Sequence, residues 1–178
     1  MDMADSRGKR GGDELMAKMT VAGLDIFLTD LRNLDKEARN INKGALGEGA
    51  GYAYHELRDA IDTIPIRPDK YEGRQHSERL YGLTENEFRQ VTNLFGIARF
   101  KNSSGGWNTS IGFHGMVDTP SAMWNNNVPT GYLVQCVEYG TEFRKATHIL
   151  QRAINKSKDQ IAQKMQDYID KEVNKIMK

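Results

Sequence analysis

The stretch from Gly44 to Leu57, GALGEGAGYAYHEL, decides how the first half of the chain is interpreted. Its small and apolar residues belong to a longer series that recurs at steps of three and four, which is the period of one face of an α-helix. This series predicts one long helix over residues 35–62, which Pro65 and Pro68 bring to an end. Within the helix stand four glycines: Gly44, Gly47, Gly49 and Gly51.

The glycines do not have the spacing of a phosphate-binding loop. A dinucleotide fingerprint requires G-x-G-x-x-G after a strand, and a Walker loop requires G-x-x-x-x-G-K-S/T. Neither pattern occurs here, and the sequence before Gly44 has the period of a helix. Each glycine costs about 1 kcal/mol of helix propensity relative to alanine. Four of them therefore indicate close packing, a kink or a contact between helices, and we interpret them as close-packing residues.

His55 opens HELRD, a near match to the zinc motif H-E-x-x-H. Zinc binding requires histidines at i and i+4, but position 59 is aspartate, so a solvated helix face is the simpler interpretation. Cys136 lies in an apolar helical pattern, where a free cysteine is usually a small buried hydrophobe. The sequence predicts a protein that is not an enzyme and holds no cofactor or metal. An enzyme stays an alternative that depends on His55 and Glu56.

Shorter helices are predicted around these segments. One carries apolar residues at helical spacing and ends near Leu34. A second begins at the capping box of Thr84 and Glu87 and closes at Gly96. A third covers residues 132–139, stopped by the glycine that follows.

The remaining segments complete an α+β fold class. Residues 149–176 carry a second long apolar stripe, which predicts a helix like the one at 35–62. Two alternating runs around a glycine-rich turn predict a β-hairpin over about 97–113, part of a small antiparallel sheet packed with the helices. Residues 65–82 and 114–130 lack a regular period and are predicted to be long loops.

Composition bounds the organisation of the chain. The 178 residues suit a single domain over 18–178, preceded by a flexible extension over 1–17. The net charge of +1 gives no overall attraction to nucleic acid. A single cysteine excludes an internal disulfide and fits a reducing compartment. No run of 18 apolar residues occurs, so we predict no membrane-spanning helix.

The two long loops supply the candidate contact residues. Basic and aromatic side chains in 65–82 can contact phosphates and stack on bases, although acidic residues nearly balance the charge. Nucleic-acid binding through this loop is therefore an alternative function. The 114–130 loop is apolar, and aromatic residues and methionine are enriched at protein interfaces. The candidate interface residues are Arg67, Tyr71, Arg74, Arg79, Trp107, Met116, Met123 and Trp124.

Three short motifs occur in order along the chain. They are V-x-G-L-D-x-F over 21–27, G-W-x-x-x-I-G-F over 106–113, and V-E-Y-G-T over 137–141 before the last long helix. With this order the chain, over residues 18–176, resembles the tailed-phage neck family typified by the gene-product-ten-like head–tail joining proteins of lambdoid phages. The family's last helix opens with a Pro-Phe-Leu-Arg-Pro-Ala-type run, and both prolines are missing here at 147–153.

The resemblance implies a virion structural protein without catalysis, assembled in the host cytoplasm. Proteins of this family are similar to tail completion or tail-terminator rings, which cap the tail tube and dock it to the head connector. The implied partners are further copies of the chain in a ring, expected to number six, and the neighbouring connector, tail tube or terminator proteins. Passing contact with DNA in the lumen of the ring is also implied, and contact with a membrane is not.

Overall fold

A computed structural model describes residues 24–68, 80–103, 106–119, 123, 125 and 127–177. The predicted extension over 1–17 lies outside these residues. The fold class is α+β, as predicted: two long helices pack together beside short helices and small two-stranded sheets. The elements are α1 (Leu24–Asp62), β1 (Ile66–Arg67), β2 (Leu83–Thr84), α2 (Glu85–Asn93), β3 (Phe95–Ile97), β4 (Lys101–Ser103), β5 (Gly106–Asn108), β6 (Ile111–Phe113), β7 (Met116–Asp118), β8 (Asn127–Pro129), α3 (Thr130–Tyr139) and α4 (Ile149–Ile176).

α1 and α4 lie antiparallel in close contact. A Cβ atom added to Gly44 would overlap the ring of Tyr168, and one added to Gly49 would lie 2.6 Å from Cγ of Met165. A later residue of α1 thus faces an earlier residue of α4, which fixes the antiparallel direction. The predicted close packing is confirmed at these two glycines.

The other two glycines of the stretch have a different environment. A Cβ atom added to Gly47 or Gly51 would meet no atom within 4 Å. Because an added methyl group would have space at both positions, the close-packing prediction is wrong there. The glycine series therefore contains two residues that packing requires and two that it does not.

α1 is longer than the sequence indicated. The helix passes through Leu34 without a break, so the predicted division into one helix ending there and another beginning at Asp35 is wrong. The boundary was predicted at the point where the longer apolar series begins. However, no glycine or proline interrupts this region, and the apolar stripe keeps one phase from Phe27 through Ile41.

The C-terminal half of α1 is covered on two sides. One side faces α4, and the other packs on the main hydrophobic core, to which Ile61 and Ile64 belong. On this second side the ring of Tyr54 stacks on Phe95, with centroids 5.1 Å apart. The core thus lies at the end of the molecule where α1 ends.

The predicted hairpin forms as two short ladders. β3 pairs with β6, with Ile97 opposite Ile111, and β4 pairs with β5, with Lys101 opposite Asn108. Three residues separate the ladders on the first strand and two on the second, so a β-bulge lies between them. Gly96 belongs to β3 and has no helix-closing role, which corrects that prediction.

The predicted loop over 114–130 is wrong. β7 and β8 form an antiparallel pair in which Val117 and Val128 face each other and are buried, and α3 begins at Thr130. Each strand has only three residues, which is too short for alternation to stand out in the sequence.

The other predicted loop, 65–82, is described only at its two ends, since residues 69–79 lie outside the described part. Its first end contains β1. At its second end, the backbone N–H of Leu80 donates a hydrogen bond to the carbonyl of Phe143, and the carbonyl of Leu80 accepts one from the N–H of Lys145.

The junction between α3 and α4 shows how α4 begins without a proline in its first turn. α3 ends at Gly140, as predicted, with a φ of 79° that favours glycine. His148, the residue before α4, gives no side-chain cap. Instead the buried carboxylate of Glu138 accepts hydrogen bonds from the backbone N–H groups of Leu150, at 3.0 Å, and Gln151, at 2.8 Å. α3 therefore caps α4, which spans the predicted residues.

Candidate functional site

A cleft of about 630 Å³ opens near the end of α1. Its charged lining comprises two arginines, Arg67 and Arg144, and three carboxylates, those of Glu87, Asp118 and Glu142. Because the two signs nearly balance, the cleft does not select an anion or a cation and suits an apolar group better. Its apolar lining is formed by Leu80, Met123, Val128, Tyr132, Leu133 and Phe143.

A buried cluster of charges forms the floor of this cleft. One oxygen of Glu87 lies 3.4 Å from Nη2 of Arg67, and the other lies 3.9 Å from Nη2 of Arg144. The same carboxylate accepts hydrogen bonds from the hydroxyl of Thr119 and the backbone N–H of Thr84. Buried charges are tolerated only when paired and hydrogen-bonded, so Glu87 holds β1, β2, α2 and the segment after α3 together.

Tyr132 and Cys136 line the cleft one turn apart on α3. The neighbouring Cys136 raises the pKa of Tyr132 by charge and hydrogen bonding, and burial adds to the shift. The phenol therefore keeps its proton at neutral pH, as an unperturbed tyrosine also does.

The predicted interface residues fall in different places. Arg67 is only 8% exposed and belongs to the buried charge cluster. Met116 and Met123 are exposed, Met123 by 79%, and Met123 lies on the wall of the cleft. The structure brings these residues to the end of the molecule that holds the cleft. Tyr71, Arg74, Arg79 and Trp124 lie outside the described residues.

Trp107 is half-buried beside α1. Nζ of Lys43 lies 5.0 Å from the centroid of its ring, within the range of a cation–π contact. Its indole Nε1 is buried and has no hydrogen-bond partner among the residues that the structure describes. The side chain thus joins the hairpin to α1 within one chain.

The first turns of α1 form a second surface, which sequence reasoning missed. Tyr168 of α4 faces Gly44 of α1. Because the helices are antiparallel, the last residue of α4, Ile176, lies level with Lys36 of α1. Residues 24–35 of α1 extend beyond the end of α4, and we call them the α1 overhang. Its exposed apolar side chains are Ile26 (67% exposed), Phe27 (50%), Leu28 and Leu31. The signal was the apolar stripe itself, which the sequence analysis used only to predict a helix.

The enzyme alternative gains no support from the described part of the chain. His55 is exposed on α1, and Glu56 is the next residue of the same helix. Within the described ranges, no group of three or more His, Cys, Asp or Glu side chains is placed to hold a metal ion. In the same ranges, no helix is both long enough and apolar enough to span a membrane.

No protein-family model matches the chain, and no match is found among curated proteins or among solved structures. The resemblance to the phage neck family therefore depends on the three motifs and their order alone.

Proposed function

We propose that the chain is a structural subunit of a tailed phage or phage-like particle, without catalytic activity. In this proposal, six copies of the chain form a ring that matches the sixfold symmetry of the neck, completes or terminates the tail and joins it to the head connector. The three sequence motifs suggest the family. The observation that carries the proposal is that the molecule has two unlike apolar surfaces at its two ends.

These surfaces are far apart. The α1 overhang begins the helix, and the cleft opens near its last residue, Asp62. At 1.5 Å per residue, roughly 54 Å separate Ile26 from Asp62 along the axis. Monomeric proteins rarely expose contiguous apolar surface without a use for it. Two such surfaces at opposite ends fit a subunit with a neighbour on each side.

Unlike surfaces favour head-to-tail assembly. A twofold dimer uses the same patch on both subunits, whereas a contact between two different patches leaves one patch of each kind free and closes into a ring when the rotation permits. The proposed contact places the α1 overhang of one copy against the cleft of the next. The cleft is apolar and nearly charge-balanced, which suits the side chains of Phe27 and Leu31.

The proposed partners are other copies of the chain, together with the connector and the tail tube or terminator proteins, and the proposed location is the virion neck. The 65–82 loop gives less support to the alternative of nucleic-acid binding. The described basic residue in that loop, Arg67, points into the buried charge cluster.

Electron microscopy of particles from a phage or prophage lacking this gene tests the proposal. We expect filled heads to accumulate apart from tails, or tails of abnormal length if the ring terminates the tail. Complementation with the intact gene should restore joined particles. Intact, infectious particles in the deletion sample would overturn the proposal.

A further inference from the structure

We propose that α1 carries a binding site for the sugar-phosphate backbone of nucleic acid. Four basic residues follow one another at steps of four, three and four: Arg32, Lys36, Arg39 and Lys43. At 100° per residue, this spacing places all four within a sector of roughly 60° around the helix axis. We call this set the basic stripe.

The basic stripe is exposed in the described structure, and one of its members, Lys43, contacts the ring of Trp107. All four residues are exposed. The buried residues Ile41 and Ala45 lie on the opposite side of α1, so α4 does not cover the stripe. The core covers this side of the helix from Tyr54 as far as Trp107, which lies beside Lys43, the last residue of the stripe. The same side of α1 is therefore apolar where the core covers it and basic where it is open.

Few acidic side chains offset the positive charge of the stripe. None of the ion pairs between described residues involves any of its four members. Glu37 lies roughly 100° from the edge of the stripe and accepts a hydrogen bond of 2.8 Å from Asn40. Asp35 is the acidic residue nearest to the stripe, three residues after Arg32 and four before Arg39, but it forms no ion pair with either among the described residues. Four like charges thus remain together on a protein whose net charge is only +1.

The shape of the stripe favours a linear polyanion. From Arg32 to Lys43 the stripe covers roughly 16 Å along the axis, with cations spaced about 4.5 to 6 Å apart. A nucleic-acid backbone presents closely spaced charges along a line, and cations that neutralise its phosphates release bound counterions. Trp107 lies at one end of the stripe, where its half-buried ring contacts Nζ of Lys43. An acidic protein surface would have to match the same rigid line.

This inference does not rest on the proposed neck role, although DNA passing through a ring would supply such a ligand. The apolar side chains of Phe27 and Leu31 lie roughly 80° or more away from the stripe around α1. Arg32 belongs to the α1 overhang, whereas Lys36, Arg39 and Lys43 lie beyond it, so a neighbouring subunit on the overhang leaves these three residues accessible. A failed DNA-binding test would leave the deletion experiment, and the neck proposal, unaffected.

The test measures binding of the purified full chain to a fluorescent DNA duplex over a range of salt concentrations. For four phosphate contacts, we expect a plot of the logarithm of the affinity against the logarithm of the salt concentration to have a slope of about −3.6. This corresponds to a loss of roughly 150-fold in affinity for a fourfold rise in salt. The stripe variant replaces all four residues with glutamine. A matched control removes four exposed lysines from α4, as Lys156→Gln, Lys158→Gln, Lys164→Gln and Lys171→Gln.

The expected result is that the stripe variant loses most of the affinity and its salt dependence, while the α4 control stays within a few-fold of the unchanged chain. Circular dichroism should show the same helix content in all three proteins. Absent binding, a salt slope near zero, or equal losses in the two variants would overturn the proposal. Competition by polyglutamate as effective as competition by DNA would also overturn it, in favour of an acidic protein partner.

Discussion

At the scale of single residues, neighbouring glycines in one helix do different things. Gly49 is buried where α1 meets α4, and Met165 occupies the space that a side chain would need. Gly47, two residues earlier, faces open space. The sequence shows four equivalent glycines, since helix period alone does not reveal where a second helix crosses. Only the packed structure separates the required positions from the others.

Gly49→Ala and Gly47→Ala should therefore change stability in opposite directions. Alanine improves helix propensity by about 1 kcal/mol at either position. At Gly49 the new methyl group would lie 2.6 Å from Cγ of Met165, and overpacking costs about 1–3 kcal/mol. We expect Gly47→Ala to raise the free energy of unfolding and Gly49→Ala to lower it by about 1 kcal/mol. Denaturant unfolding at one protein concentration measures both, and equal stabilisation by the two variants would refute the close packing at Gly49.

Glu87→Gln should destabilise the fold strongly. The substitution leaves the guanidinium groups of Arg67 and Arg144 beside a neutral amide, and breaking a buried ion pair costs about 3–5 kcal/mol. Because the amide keeps one acceptor oxygen, we expect a loss of about 3 kcal/mol in the free energy of unfolding. Glu85→Gln, an exposed change in the same helical turn, is the control and should cost less than about 1 kcal/mol. Similar losses for both variants would show that the cluster contributes little.

At the scale of elements, helix ends and helix pairing depend on contacts that are distant in sequence. α4 begins at Ile149 because Glu138, on α3, accepts hydrogen bonds from its first N–H groups. The α1 overhang exists because α1 is longer than its partner. Neither feature can be recognised within a single element of the sequence.

Glu138→Ala should weaken the start of α4. The substitution removes two hydrogen bonds to Leu150 and Gln151 and a negative charge at the helix N-terminus. Losses of caps and of favourable charges at helix ends predict a decrease of about 2 kcal/mol in the free energy of unfolding. Glu142→Ala, at an exposed position, should change it by less than about 0.5 kcal/mol. Hydrogen exchange at the first turn of α4 gives a direct second measurement, and unchanged protection there would contradict the capping role.

The double substitution Phe27→Gln and Leu31→Gln should abolish assembly without unfolding the chain. Both side chains are exposed in the single chain, so their loss should shift its unfolding by less than about 1 kcal/mol. In the proposed ring they enter the cleft of the next copy, and their loss should leave monomers. Native mass spectrometry measures the oligomeric state.

Ile154→Gln, which changes an exposed apolar residue on α4, is the control for this experiment and should assemble normally. An assembled double variant would remove the α1 overhang from the contact. If the double variant unfolds, its residues belong to the core and the proposed role fails.

At the scale of the whole molecule, the sequence predicted regular elements well and exposed surfaces poorly. The α+β class, α4 and the hairpin follow from apolar period and turn chemistry. The pair around Val117 and Val128 does not, because its strands are short and joined across a long connection. Arg67 illustrates the same limit for the site: its sequence neighbours suggested a solvent-facing loop, while its counter-charge, Glu87, is twenty residues away.

The central claim is that the chain assembles head to tail into a closed ring. The most direct test combines negative-stain electron microscopy with native mass measurement of the purified full-length chain of 20.2 kDa. The proposal predicts rings of one diameter and a single mass that is a whole multiple of the chain mass, expected to be six. Monomers at every concentration, or a twofold dimer that grows no further, would contradict it.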